Sequence, residues 1–103
     1  MLREWQQLKV HWFKLINMSF AARIADSTAD GVITGPGAPT VLIGGMPAAV
    51  VGDIATPASG NIPMAFVAGS FTVLIGGKPA LRVGDTALNG STIIMGCTTV
   101  LIG

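Results

Sequence analysis

Few side chains in this sequence could perform catalysis or hold a metal ion. The chain has one histidine, His11, one cysteine, Cys97, and five acidic residues, of which four are aspartates that follow residue 18. Nucleophilic catalysis by serine or cysteine needs a base within hydrogen-bond reach, and that base is most often histidine. Because residues 18–103 contain neither histidine nor glutamate, we predict no catalytic residue there and expect a protein that is not an enzyme.

Three of the aspartates recur at one position of a repeated pattern. Asp26, Asp53 and Asp85 end the segments FAARIAD (20–26), PAAVVGD (47–53) and PALRVGD (79–85). A carboxylate placed after a short strand can accept hydrogen bonds from nearby backbone N–H groups and thereby close a turn. The spacing therefore predicts turn-forming aspartates rather than catalytic ones.

The elements that must position these turns are repeated as well. The string TVLIG occurs at 40–44, 72–76 and 99–103, and in each copy a glycine precedes the threonine by three residues. Two copies run directly into an aspartate segment, whereas the third is completed by residues 20–26 near the other end of the chain. A repeat whose halves join in this way predicts a closed, pseudo-three-fold domain rather than an open stack with capping repeats.

Short strands and tight turns are expected throughout this region. The runs TVLI, GVIT (31–34) and STII (91–94) are rich in β-branched residues and are bounded by glycine, which predicts strands of four to five residues. Gly45 with Pro47, and Gly77 with Pro79, predict tight turns, because glycine permits a positive φ and proline fixes φ. The fold class predicted for residues 19–103 is therefore all-β.

Composition restricts the kinds of partner. The chain is 50% apolar and only 11% charged, with a net charge of +1. A nucleic-acid-binding protein needs a basic face to neutralise phosphates, so we expect no nucleic-acid partner. A small domain with so few charges exposes apolar surface, and we expect some of that surface to be covered by another protein.

Residues 1–18 form a separate N-terminal extension by composition, since all glycines and prolines follow Asp30. Trp5, Leu8, Trp12 and Leu15 recur at spacings of three and four, which is typical of an amphipathic helix. Such a helix could dock on a partner or a membrane surface. The alternatives are a disordered extension or an upstream start codon ahead of Met18.

The repeated segments resemble the PAAR-repeat family, which is named for a Pro-Ala-Ala-Arg tetrapeptide. In this chain the tetrapeptide reads FAAR (20–23), PAAV (47–50) and PALR (79–82), in register with the three TVLIG strings. The resemblance covers residues 19–103 and implies a small cone of short β-strands with pseudo-three-fold symmetry. It also implies a place at the tip of the trimeric VgrG-like or phage-type spike of contractile injection machines.

The sequence departs from this family at its usual metal site. Relatives hold zinc near the apex of the cone with His and Cys from the loops that follow the aspartates, but the loops 26–31, 53–61 and 85–90 contain neither. Asp30 alone cannot supply the roughly four ligands that zinc requires, and Cys97 occupies the place of Ala38 and Ser70 in the other repeats. We therefore expect no metal and no other cofactor. The proposed apex packing residues come from the longer middle loop: Ile54, Ile62, Met64 and Phe66.

The resemblance implies a structural function. We expect a protein that caps and sharpens the spike with one copy per trimer and touches the target membrane transiently during piercing. No secretory leader is evident, so we expect assembly in the bacterial cytoplasm and delivery outward at the tip of the machine. The alternative is an adaptor that loads effector cargo onto the spike through residues 1–17.

Overall fold

The computed structural model describes residues 18–103, and within that range the chain forms short strands and turns without a helix. No helix that could cross a membrane is found in this part of the chain. The helix predicted in the N-terminal extension lies outside the described residues. The nine strands are β1 (Ser19–Ala21), β2 (Gly31–Thr34), β3 (Ala38–Ile43), β4 (Met46–Ala48), β5 (Ile54–Pro57), β6 (Met64–Ala65), β7 (Leu74–Ile75), β8 (Lys78–Pro79) and β9 (Cys97–Ile102).

Three antiparallel hairpin units follow from the three TVLIG strings. Strand β3 pairs with β4, β7 with β8, and β9 with β1. In the third unit Ile102 faces Ser19 and Leu101 faces Phe20, which is the register of Ile43 with Met46 and Leu42 with Pro47 in the first. The N-terminal half-repeat therefore completes the last TVLIG string in space.

The turns of the first two hairpins are made by glycine pairs. Gly44 and Gly45 have φ values of 57° and 83°, and Gly76 and Gly77 have φ values of 60° and 81°. Two successive positive φ angles are what a two-residue hairpin needs to match the twist of its strands. Since the glycines complete the turn, Pro47 and Pro79 lie in the returning strands β4 and β8 and not in the turns themselves.

A ring of backbone hydrogen bonds joins the three repeats around a common axis. The amide of Ala22 donates to the carbonyl of Leu81, the amide of Leu81 donates to Ala49, and the amide of Ala49 donates to Ala22. The N···O distance is 3.0 Å in each case. A second ring starts two residues further along each segment and runs in the opposite cyclic order: Ile24 donates to Pro47, Val51 donates to Pro79 and Val83 donates to Phe20. This cyclic connection confirms an all-β domain with internal pseudo-three-fold repeats.

The core consists of two apolar clusters. The loop cluster lies under the loops that follow the aspartates and contains Ala22, Ile33, Ala49, Ala55, Phe66, Leu81, Ala87 and Ile93. The hairpin cluster lies among the three hairpin units and contains Ala21, Ile43, Ala48, Ala80, Cys97 and Ile102. Neighbouring residues at the axis, such as Ala21 and Ala22, belong to different clusters because successive side chains of an extended chain point in opposite directions.

Two of the predicted strands are shorter than the sequence pattern suggests. In the second repeat only Leu74 and Ile75 are in strand geometry. Residues 91–94 form isolated bridges, in which Thr92 pairs with Thr86 and Ile93 pairs with Thr28. Because these partners belong to two different loops, a continuous strand ladder cannot extend along residues 91–94.

Candidate functional site

The three repeated aspartates occupy equivalent turns. Each carboxylate accepts a hydrogen bond from the backbone amide three residues earlier: Asp26 from Arg23 at 2.7 Å, Asp53 from Val50 at 2.8 Å and Asp85 from Arg82 at 2.8 Å. Each aspartate amide in turn donates to the carbonyl of that same residue, at 3.0–3.1 Å. These contacts use the carboxylates within the backbone of the turn and leave no free pair of carboxylates for acid–base chemistry.

Arginine accompanies the aspartate in two of the three turns. Arg23 pairs with Asp26 at 2.9 Å and Arg82 pairs with Asp85 at 3.0 Å. The hydrogen bond to Asp26 raises the pKa of Arg23 above its ordinary value. In the remaining turn, the middle one along the chain, Val50 replaces the arginine. Asp53 there accepts a hydrogen bond from the Gly37 amide at 3.0 Å.

The four proposed apex packing residues have different environments. Phe66 is fully buried in the loop cluster, and Ile54 is partly buried in strand β5. Met64 is 37% exposed and Ile62 is 71% exposed. Ile62 lies outside the core because its segment runs over the surface, where its carbonyl accepts a hydrogen bond from the Asn89 side chain at 3.1 Å.

We call the end of the domain that is formed by the loops after the three aspartates the loop end. It does not fit the zinc ion that the family resemblance implies. No three His, Cys, Asp or Glu side chains among residues 18–103 lie close enough together to hold a metal ion. The buried positions two residues after the aspartates are Thr28, Ala55 and Ala87, and of these only Thr28 has a polar side chain, whose hydroxyl lacks a hydrogen-bond partner. One hydroxyl among apolar groups cannot satisfy a tetrahedral zinc ion.

Cys97 belongs to the hairpin cluster and not to the loop end. Its thiol is buried, lies 3.2 Å from the hydroxyl of Thr99, and is unpaired as a disulfide. The hydrogen bonds with Thr99 lower the pKa of the thiol from its ordinary value. Ala38 and Ser70 lie at the corresponding positions of the other hairpin units, so this site accepts a small side chain of any polarity.

The hairpin units present an apolar surface that we call the hairpin face, defined by Leu42, Phe71, Leu74 and Leu101. The three leucines hold the same place in the three TVLIG strings and are 62%, 63% and 45% exposed. Phe71 is 96% exposed. Large exposed apolar patches mark interaction sites, and these four exposed side chains are the candidates on the hairpin units.

An open groove of about 260 Å³ lies beside the third hairpin unit. It is lined by Met18, Ser19, Phe20, Val83 and Leu101, and is therefore mostly apolar. The groove contains no acid, base or nucleophilic thiol, so it offers binding surface without reactive groups.

Two features of the site escaped the sequence analysis. The first is Phe71, whose counterparts Pro39 and Thr98 are smaller, so a comparison of the three copies could have found it. The second is Ala25, which has a φ of 74° at the position held by Gly52 and Gly84 in the other turns. Both are places where one repeat differs from the other two, and alignment of the repeats is the signal that would have found them.

Comparison with known proteins supports the pattern of repeats. A family model described as PAAR motif matches residues 25–95, which is more than half of the chain. No curated protein matches the chain.

Proposed function

Because this chain belongs to the PAAR-motif family, we propose that it is a non-enzymatic tip protein that caps and sharpens the trimeric spike of a contractile injection system. The spike partner is a VgrG-like or phage-type trimer, with one copy of this chain per trimer. The protein is assembled in the bacterial cytoplasm and carried outward on the spike, where it contacts the target membrane transiently.

The observation that carries this proposal is the closed pseudo-three-fold ring within a single chain. The amides and carbonyls of Ala22, Ala49 and Leu81 bond in a cycle, so one chain presents three similar hairpin units around one axis. The end of a trimeric spike repeats its surface three times around its own axis. One copy can therefore cover that end with matched contacts, whereas three copies could not share one axis.

The role of the domain during injection is mechanical. The two rings of backbone hydrogen bonds connect every repeat to both of its neighbours, so a load applied at the loop end is distributed over all three hairpin units. Close packing gives protein interiors low compressibility, and the loop cluster is filled by buried side chains such as Phe66, Ile33 and Leu81. The domain transmits force to the membrane and needs no chemical step.

Stoichiometry tests the proposal. The full chain is co-expressed with the spike protein encoded nearest to it, and the purified complex is weighed by light scattering. We expect three spike chains for each copy of this protein. A complex with three copies of each chain, or the absence of a complex, would contradict the proposed function.

A second candidate function is that of a cargo adaptor, and the position of Met18 favours it. Residues 1–17 precede Met18, which lines the groove beside the third hairpin unit together with Leu101 of the hairpin face, and this face is the surface that we propose to contact the spike. Deletion of residues 1–17 separates the two functions. An adaptor lacking this extension loses its cargo and still binds the spike, whereas a plain tip protein shows no loss of cargo delivery.

A further inference from the structure

Phe71 is an unusually exposed aromatic side chain on a well-fixed backbone. Its exposure of 96% means that the ring makes almost no contact within the domain. The residue before it, Ser70, is 1% exposed, and the Ser70 amide donates to the carbonyl of Ala80 at 2.8 Å. The backbone that carries the ring is therefore part of the packed structure.

Side-chain hydrogen bonds also fix the backbone that follows Phe71. The Ser70 hydroxyl accepts from the amides of Thr72 at 3.2 Å and Val73 at 3.0 Å, and donates to the carbonyl of Gly103. A β-carbon at Gly69 would lie 2.6 Å from the Ala80 carbonyl oxygen, so this part of the chain fits closely against the residues that directly follow strand β8. A side chain presented in this way loses little backbone freedom on binding, which is the general advantage of a preorganised contact.

The surroundings of Phe71 specify an apolar partner surface. The hairpin segments 18–21, 38–48, 70–80 and 97–103 contain one charged side chain, Lys78. A partner surface rich in charge would lose its hydration against these segments and could gain an ion pair only with Lys78, which is unfavourable. Apolar pockets on the partner would instead cover the ring of Phe71 and the exposed leucines.

Phe71 also breaks the three-fold repetition of the hairpin face. The leucines of the hairpin face are equivalent in the three units. The counterparts of Phe71 are Pro39 and Thr98, and all three residues at this position are exposed. A trimeric partner repeats every pocket three times. A single phenylalanine can therefore use any one of three identical pockets, by rotation of the domain through one third of a turn.

We propose that Phe71 is the anchor residue of the hairpin face, and that its ring fills one of three equivalent apolar pockets at the end of the trimeric spike. This inference rests on the proposed function, since it identifies the residue that determines affinity for the spike. Aromatic residues that fill pockets at the centre of an interface contribute most of the binding energy in many complexes.

The test moves the phenylalanine between equivalent positions of the full chain and measures affinity for the purified spike trimer. F71T places at position 71 the residue found at position 98, and we expect it to weaken binding by about thirty-fold or more. The double variants F71T/T98F and F71T/P39F return the ring to an equivalent unit. We expect at least one of them to restore the affinity to within about three-fold of wild type, because the pockets are identical.

The matched control is L88A, which removes an exposed apolar side chain, 63% exposed, from the loop end. It is expected to bind the spike like wild type, and thermal unfolding verifies that each variant is folded. If wild type binds and F71T binds equally well, or if neither double variant recovers affinity, the anchor proposal is overturned and the proposed function is not. Failure of wild type to bind the trimer would overturn both.

Discussion

At the scale of single residues, the three copies of the repeat act as internal controls for one another. The amides of Ala25, Gly52 and Gly84 donate to the carbonyls of Ile33, Phe66 and Ile93, each at 2.9 Å. All three residues have a positive φ, of 74°, 102° and 99°. The same backbone conformation is therefore reached by glycine twice and by alanine once.

Replacing Ala25 with glycine is expected to raise the free energy of unfolding. A non-glycine residue in the left-handed region costs about 1–2 kcal/mol, and the greater freedom of glycine in the unfolded chain offsets about 0.5–1 kcal/mol of that gain. We expect a net stabilisation of about 0.5–1 kcal/mol for Ala25→Gly, measured by urea unfolding.

The reverse substitutions serve as the control. No atom outside the adjacent residues lies within 4 Å of a β-carbon built on Gly52 or Gly84, so Gly52→Ala and Gly84→Ala add backbone strain without a clash. Each should lower the free energy of unfolding by about 1 kcal/mol. Stabilisation by either alanine substitution would show that the strain argument is incorrect.

At the scale of elements, the loops are joined by apolar packing and by a few polar contacts. Ile33, Phe66 and Ile93 follow the three aspartate turns and are all buried in the loop cluster. On the surface, Asp30 accepts a hydrogen bond from the Ser59 hydroxyl at 2.7 Å, and Asn89 donates to the Ile62 carbonyl. Phe66 is the largest of the fully buried side chains, so we expect it to contribute most to the cohesion of the loops.

The substitution Phe66→Ala is expected to lower the free energy of unfolding by about 3–5 kcal/mol, because a large-to-small change in a core loses apolar contacts and leaves a cavity. Ile62→Ala is the control, since Ile62 is 71% exposed, and it should change stability by about 0.5 kcal/mol or less. Urea unfolding of the two variants and the wild type measures both values. A small loss for Phe66→Ala would mean that other contacts hold the loops.

Removal of metal provides an independent test of what holds the loops together. The described loop residues offer no set of zinc ligands, so we expect purified protein to contain no stoichiometric zinc. Its melting temperature should be the same with and without a chelator, because metal binding stabilises a fold only where ligands are present. Elemental analysis that finds close to one zinc per chain would contradict this expectation.

At the scale of the whole molecule, the domain is a ring of three hairpin units. Both ends of the repeat region lie in the same unit, which is formed by β9 and β1. Strand β9 pairs with β1 in the register that β3 adopts with β4. By this register Gly103 corresponds to Gly44, and Met18 corresponds to Gly45. The two ends of the repeat region therefore meet where the other two units have a glycine turn.

A circular permutant of residues 18–103 is expected to fold. Joining Gly103 to position 18, with Met18→Gly, recreates a two-glycine turn, and opening the chain between Gly44 and Gly45 moves the ends to an equivalent exposed turn. We expect cooperative unfolding with a free energy within about 2 kcal/mol of the linear domain. A permutant that lacks a cooperative transition would show that the units are not interchangeable.

The sequence by itself determined the repeat, the fold class and the family resemblance. Three copies of TVLIG, with an aspartate segment for each, require a closed arrangement, because the half-repeat at 20–26 has no partner except the last string. Glycine pairs predict hairpin turns for a local reason, since φ depends on the residue itself. For the turns the information is contained within a few consecutive residues, and for the repeat it is contained in the comparison of the copies along the chain.

Only the tertiary structure decided which apolar residues are inside. Phe66 and Phe71 are similar in type and five residues apart, yet one is fully buried and the other is 96% exposed. Ile54 is partly buried in strand β5, whereas Ile62, eight residues later, is 71% exposed. The environment of these residues depends on chain segments far away in sequence, such as the Ala80 carbonyl that holds Ser70. Burial is set by those long-range contacts, which the local sequence pattern does not specify.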